Sequence, residues 1–123
     1  MNKAGWDKLK AFEKNCLVSS RVFEVQAGCV EEMGKPVMYW VNGEGRQEVL
    51  PNFTADRNAC ALVLDELEKL GDDTIFRFLD VFKKRCDITQ ARGDLRQAAW
   101  FGMRAQSDLI CYCAVKSVTD DDR

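Results

Sequence analysis

The chain has 123 residues, which suits one globular domain that is large enough to bury its own core. Hydrophobic residues make up 46% of it and charged residues 31%, an ordinary globular mixture, and the formal net charge is −2. This charge gives no reason to expect a nucleic-acid or membrane protein, and no apolar run approaches the roughly 20 residues that a membrane span needs.

The sequence contains no histidine, which removes the commonest base at neutral pH and the commonest metal ligand. Ser-His-Asp and Cys-His catalysis are thereby excluded in their usual form. The N-terminus lacks the apolar segment of a signal peptide, so the six cysteines are expected to be reduced thiols. Cys111 and Cys113 would point apart on a helix, and we expect no metal site. A reactive thiol at Cys29 or Cys86 stays an alternative.

The first elements predicted along the chain are a helix, a strand and a loop. A helix is predicted over residues 3–16, because apolar residues recur on one of its sides. These residues are Trp6, Leu9, Phe12 and Cys16. Alternation of apolar and polar residues predicts a short strand over residues 21–26, and residues 28–35 are predicted to form a loop.

A β-hairpin is predicted from residues 37–42 and 46–50, which flank the sequence Asn-Gly-Glu-Gly. Asn42-Gly43 favours a tight turn because both residues tolerate positive φ. Tyr39 and Trp40 are neighbours and would lie on opposite faces of the strand. At least one of the two rings is therefore available to cover something other than the main core.

The clearest helix of the sequence lies between Pro51 and Gly71. Thr54 is the predicted N-cap, and Asp56 places a carboxylate near the positive end of the helix dipole. Gly71 is well placed to end the helix in a left-handed conformation. One apolar stripe follows at helical spacing, formed by Cys60, Val63, Leu64, Leu67 and Leu70.

The second half of the chain contains one ambiguous segment, residues 74–82. Its periodicity fits either a helix or a strand, and its content of Ile, Val, Thr and Phe favours a strand. Residues 83–96 are predicted to be a loop and residues 97–104 a strand.

The last predicted helix is capped by Ser107 and runs to Val118. It is apolar nearly all round, which indicates burial on several sides. Residues 119–123 are predicted to form an acidic disordered tail, which leaves residues 1–118 as a single α+β domain.

Planar cations and aromatic rings supply the binding chemistry that the sequence offers. Such groups stack on rings and bind phosphates or carboxylates. The candidate ligand-binding residues are Arg57, Trp40, Tyr39, Arg46, Trp100 and Arg104. Arg57 is the leading candidate because it lies in the first turn of the central helix, where backbone N–H groups attract anions. The alternative is that the aromatic residues pack the core and the arginines are solvated.

Two segments of the chain are similar to a known family. Pro51-Asn52-Phe53-Thr54-Ala55-Asp56 runs into a helix rich in Ala, Val and Leu, and Trp100 precedes Gln106-Ser107-Asp108 and a helix rich in Ala and Cys. Over roughly residues 36–118, this pattern resembles the small bacteriophage proteins with an α-β-α sandwich domain. The resemblance implies a sheet covered by helices and a phage or prophage origin. It favours a strand for residues 74–82 and brings no catalytic site.

With these strands, we expect a small, largely antiparallel sheet of about four to five strands covered by two to three helices. The expected function is that of a non-enzymatic phage accessory protein in the bacterial cytoplasm, which acts by binding a protein partner or by assembling into a homo-oligomer. It follows from the absence of catalytic groups and from aromatic residues on both strand faces.

Three other functions stay open. One is a binder of a nucleotide-like or other anionic small molecule, formed by Arg57 with Trp40 or Trp100. Another is an enzyme that uses a carboxylate or a cysteine, and nucleic-acid binding is the least supported. We expect no cofactor and no membrane association.

Overall fold

The computed structural model describes residues 2–85 and 107–119. Its helices are α1 (Lys3–Asp7), α2 (Ala11–Arg21), α3 (Arg57–Leu70), α4 (Asp72–Arg85) and α5 (Ser107–Val118), and its strands are β1 (Gly28–Glu32), β2 (Lys35–Val41) and β3 (Gln47–Val49). The strands form one antiparallel sheet in the order β1-β2-β3. The α+β class is confirmed, and the described part of the sheet has three strands where four to five were predicted.

The predicted helix over residues 3–16 is in fact two helices. Asn2 caps α1, since its side-chain oxygen accepts a hydrogen bond from the Gly5 N–H at 2.8 Å. The chain then leaves the helical path, and α2 begins where the Glu13 carboxylate accepts a hydrogen bond from the Lys10 N–H at 3.0 Å. Each helix therefore has a polar group that satisfies a backbone donor at its start.

The predicted strand over residues 21–26 is wrong. Helix α2 continues through Arg21, and Glu24 has a φ of 57°, which no extended strand allows. The Ser19 hydroxyl donates a hydrogen bond to the Val25 carbonyl at 2.6 Å and so holds this segment against α2. The short alternation in the sequence reflects a connection that packs its apolar side chains on a helix end.

The predicted loop over residues 28–35 is also wrong, because it contains β1 and a tight turn. Met33 and Gly34 have φ values of 52° and 79°, so both central residues are left-handed, as in the turns that suit β-hairpins. The hairpin predicted for residues 37–42 and 46–50 is confirmed as β2 and β3. Its turn is closed by the Asn42 side chain, whose oxygen accepts hydrogen bonds from the Glu44 and Arg46 N–H groups at 2.9 and 3.1 Å.

The central helix is confirmed as α3, with a different N-cap. Asp56 caps it by accepting a hydrogen bond from the Asn58 N–H at 2.9 Å, whereas the Thr54 hydroxyl lies 3.3 Å from the buried Asn15 side-chain oxygen. Gly71 ends the helix with a φ of 109°, as predicted. The apolar stripe is only partly buried, since Leu64 and Leu70 are 38% and 45% exposed.

Residues 74–82 are helical and lie within α4, so the preference for a strand is wrong. Asp72 and Asp73 occupy its first turn, where carboxylates favour a helix start. The helical stripe buries Phe82, and the Phe78 ring stacks on it at 5.8 Å. Residues 83–85 continue the helix and are not a loop. The remaining predicted loop, the strand at 97–104 and residues 120–123 of the tail lie outside the described residues.

The core lies on one side of the sheet. Helices α3, α4 and α5 pack against one another, and α2 packs on α5. As predicted, α5 is buried nearly all round, with every residue from Ile110 to Val115 in the interior. The sheet joins this core through Trp40 of β2, whose ring contacts those of Phe23 and Phe53. The opposite side of the sheet has no such layer among the described residues.

Candidate binding surfaces

The outer face of the sheet is apolar and exposed. Since side chains alternate along a strand, Trp40 points into the core while its neighbours point away from it. The cross-strand pairs Val30–Val37 and Tyr39–Val49 extend this second face over all three strands. We call it the outer face, and its apolar members are Val30, Val37, Tyr39, Val41 and Val49.

The outer face is large enough to matter for binding. Val30, Val41 and Val49 are 46%, 48% and 59% exposed. Strands about 4.8 Å apart, with roughly 3.3 Å per residue along each strand, give this side of the sheet an area of ~300 Å², of which the five apolar residues cover roughly half. A contiguous group of exposed apolar side chains rimmed by polar residues often marks an interaction site. Beside the valines of the outer face lie Glu32 and Lys35, an acid and a base that pair across β1 and β2.

Tyr39 forms a polar contact on this face. Its hydroxyl donates a hydrogen bond to the Glu32 carboxylate. That hydrogen bond, with smaller contributions from partial burial and from the charge of Glu32, raises the pKa of Tyr39. The predicted binding residue Tyr39 therefore belongs to the outer face, next to its acid–base pair.

Replacing Glu32 with glutamine is expected to lower the pKa of Tyr39 towards that of a free tyrosine, because the neutral amide neither accepts the bond as strongly nor repels the phenolate. NMR titration of the tyrosine ring signals measures this, with Tyr39→Phe to assign them. Glu31→Gln is the matched control, since Glu31 pairs with Pro36 on the other face. An unchanged Tyr39 pKa in the Glu32 variant would mean that this contact is absent in solution.

A cleft of about 610 Å³ lies between the β2–β3 hairpin and α3. Arg46 and Trp40 line it on the hairpin side, and Leu62 and Lys69 on the helix side. Its lining also includes four carboxylates, those of Glu44, Glu48, Asp65 and Glu66. Lys69 approaches Glu66 at 3.8 Å. With four acids against two bases, the cleft has an excess of negative charge that opposes an anionic ligand.

Trp40 contributes to this cleft from within the core. The residue is only 5% exposed, and its indole N–H donates a hydrogen bond to the Glu48 carboxylate at 3.0 Å. Phe23 and Phe53 meet its ring edge-on at 5.1 and 5.5 Å. Because only 5% of the residue is exposed, little of its ring is available to stack on a ligand, and Trp40 serves to join the sheet to the core.

The structure separates the predicted binding residues. Arg46 and Trp40 line the cleft, Tyr39 lies on the outer face, and Arg57 lies exposed at the start of α3. Neither Tyr39 nor Arg57 lines the cleft. Trp100 and Arg104 lie outside the described residues.

A second, apolar groove of about 490 Å³ runs between α2 and the sheet. Its lining includes Phe12, which is 51% exposed, and Cys16. Burial first, then the neighbouring Cys29 and Glu13, raises the pKa of Cys16, which keeps its thiol protonated. This groove therefore offers apolar contact area beside a thiol that stays protonated.

Two further features bear on function. Among residues 2–85 and 107–119, no three cysteine, aspartate or glutamate side chains converge in a way that would hold a metal ion. Every helix in this part of the chain is too short or too polar to cross a lipid bilayer.

Comparison of the chain with protein-family models, with curated proteins and with solved structures finds no significant match, so no relative assigns a role to these surfaces.

Proposed function

We propose that this protein is a non-enzymatic binding protein that pairs with a second copy of itself through the outer face. The observation that carries the proposal is the exposure of three valines on the sheet face opposite Trp40, the residue whose ring packs the sheet on the core. Removing such apolar surface from water favours association. Tyr39 lies among these valines, and tyrosine is enriched in protein interfaces because it offers a large rigid ring and a polar end.

A second copy fits this face because the face is self-complementary. In a two-fold symmetric dimer the same patch meets itself. The charged pair of the outer face consists of one acid and one base, Glu32 and Lys35, so two copies can place opposite charges together. Even the whole side of the sheet, at ~300 Å², is below the ~800 Å² that a standard interface buries on each partner. The outer face is therefore the apolar centre of a contact that includes this charged pair.

Replacing Val49 with lysine is expected to shift the dimer to monomer. The substitution buries an unpaired ammonium group at two symmetry-related places in the apolar contact, which costs several kcal/mol and weakens association by roughly 100-fold or more. Sedimentation velocity over a range of protein concentrations measures this change. The free energy of unfolding of the monomer should stay within ~0.5 kcal/mol, because Val49 is exposed there.

The matched control is Leu64→Lys, which places the same charge on an exposed apolar residue of α3, away from the sheet. This variant should remain a dimer. A wild-type chain that sediments as a monomer at all concentrations would contradict the proposed dimer, and a dimer that survives Val49→Lys would contradict the outer face as its site. In the first case a different protein becomes the expected occupant of the face.

We also propose that the protein is a phage or prophage accessory protein of the bacterial cytoplasm. Support comes from the resemblance of residues 51–56 and 106–108 to the small phage proteins with an α-β-α sandwich domain. A sandwich of that kind needs a layer on each side of its sheet, and a second copy would supply one on the outer face. Phage structural genes beside the coding sequence would support this origin, and their absence in every host genome that carries the gene would count against it.

A further inference from the structure

Two buried thiols meet near the N-terminal ends of two helices. Cys60 lies in the first turn of α3 and Cys111 one residue beyond the first turn of α5, and their side chains are in hydrogen-bond contact. The Cys60 sulfur lies 3.9 Å from the Ser107 carbonyl oxygen, and the Cys111 sulfur lies 3.3 Å from the Phe53 carbonyl oxygen. The residues are 2% and 0% exposed, and both thiols are reduced.

The surroundings make the two thiols chemically unequal. The hydrogen bond with Cys111, with smaller contributions from Ser107 and Arg57, lowers the pKa of Cys60 despite its burial. Its position near the positive end of α3 acts in the same direction. The bond to Cys60, followed by burial and by the charges of Cys60, Asp108 and Cys113, raises the pKa of Cys111. Cys60 is thus the better nucleophile, and Cys111 keeps its proton.

We propose that Cys60 and Cys111 form a redox-active dithiol that closes into a disulfide between α3 and α5 by exchange with a small-molecule disulfide. In the first step the Cys60 thiolate attacks one sulfur of the small disulfide, which forms a mixed disulfide and releases one small thiolate. In the second, Cys111 gives its proton to water and attacks the Cys60 sulfur, which releases the second small thiolate. Two protein thiols are oxidised and one small disulfide is reduced.

The helix ends provide the access that this chemistry needs. Both sulfurs are buried, so exchange requires a local opening, and the terminal turn of a helix opens at lower free energy than its centre. The packing of α3 on α5 and the hydrogen bond between the two thiols keep the attacking and the resolving sulfur side by side. Closure joins α3 and α5, two helices that pack against each other.

The test uses the full chain, reduced and folded, with an excess of oxidised glutathione. Remaining thiols are blocked, and the protein is digested with trypsin. Cleavage yields the peptide of residues 58–69, which contains Cys60, and that of residues 105–116, which contains Cys111 and Cys113. The expected product is a disulfide between these two peptides, with fragmentation that places the bond at Cys111. When the chain is unfolded in concentrated urea, oxidation should no longer favour the Cys60–Cys111 pair over other pairs of the six cysteines.

Cys60→Ser should abolish the linked peptide, and Cys29→Ser should leave it unchanged, because Cys29 is exposed on β1. Circular dichroism checks that each variant is folded. The peptide map of the wild-type chain tests the proposal even if a variant fails to fold. The proposal is overturned if the folded, oxidised wild-type chain retains both thiols. It is equally overturned if the preferred bond joins Cys60 to a cysteine other than Cys111.

Discussion

Replacing Phe53 with alanine is expected to lower the free energy of unfolding by about 3–5 kcal/mol. Phe53 is completely buried, and its ring stacks on Phe23 at 5.4 Å and meets the edge of Trp40 at 5.5 Å. It lies four residues before α3, so it connects the sheet, the start of the central helix and the end of α2. Truncation loses the transfer free energy of the ring and leaves a cavity that rigid neighbours on three elements cannot fill.

Urea unfolding followed by far-UV circular dichroism measures this loss. Phe76→Ala is the matched control, since Phe76 is 66% exposed on α4 and its removal should change the free energy of unfolding by less than ~0.5 kcal/mol. A domain of ordinary stability has only about 5–15 kcal/mol to lose, so the Phe53 variant will populate unfolded chains in mild denaturant. Equal effects of the two substitutions would mean that the aromatic cluster is not formed in solution.

The helices could be predicted where local signals and packing agree. For α3 the turn after Pro51, the apolar spacing and Gly71 all indicate one helix, and the errors were limited to the cap and to the burial of Leu64 and Leu70. Thr54 and Asp56 are both good N-caps by residue type. The choice between them depends on Asn15, a residue of α2 that takes up the Thr54 hydroxyl. Such a long-range contact is not visible in a local pattern.

The error at α4 has a different cause. Ile, Val, Thr and Phe favour strands chiefly where a pleated surface is there to receive them. Here Gly71 ends one helix, and Asp72 and Asp73 start the next. Phe78 and Phe82 lie on one side of α4, the helix that packs against α5. Tertiary packing overrides a weak intrinsic preference, as it often does.

The outer face was missed because β1 was missed. Met33-Gly34 has only one residue that tolerates positive φ easily, so the sequence gives a weaker turn signal than Asn42-Gly43. Because β1 was not predicted, the pairing of Val30 with Val37 across β1 and β2 could not be predicted either. One signal was available, since Tyr39 and Trp40 had to lie on opposite faces and both are large rings. That signal indicated a second surface, although not which ring would face solvent.

Replacing Trp6 with alanine is expected to cost about 3–5 kcal/mol of unfolding free energy. Trp6 is completely buried, and its indole N–H points between the two oxygens of the Asp108 carboxylate, at 3.3 Å from each. The Lys14 ammonium lies 2.8 Å from one of these oxygens and 5.4 Å from the centre of the Trp6 ring. The ring also contacts Tyr112 of α5 at 5.8 Å. One residue thus holds α1, α2 and α5 together.

Trp6→Phe separates packing from hydrogen bonding. It keeps an apolar ring, so it should cost less than Trp6→Ala: about 1 kcal/mol for the lost hydrogen bond, since Asp108 retains its bond to Lys14, and about 1 kcal/mol more for the smaller ring. Chemical unfolding of both variants gives the two values. If Trp6→Ala were no worse than Trp6→Phe, α1 would not be docked through its ring.

The Trp6 variants also test whether stability and assembly are separate properties. Helix α1 has five residues and cannot persist alone, so losing Trp6 frees the N-terminal segment from α5. The outer face lies on the far side of the sheet from the core that receives this ring. Under conditions where Trp6→Ala is still folded, it should therefore sediment as the wild-type chain does, whereas Val49→Lys should dissociate while remaining stable. A dimer that weakens in step with the loss of Trp6 would place the contact near α1 and away from the sheet.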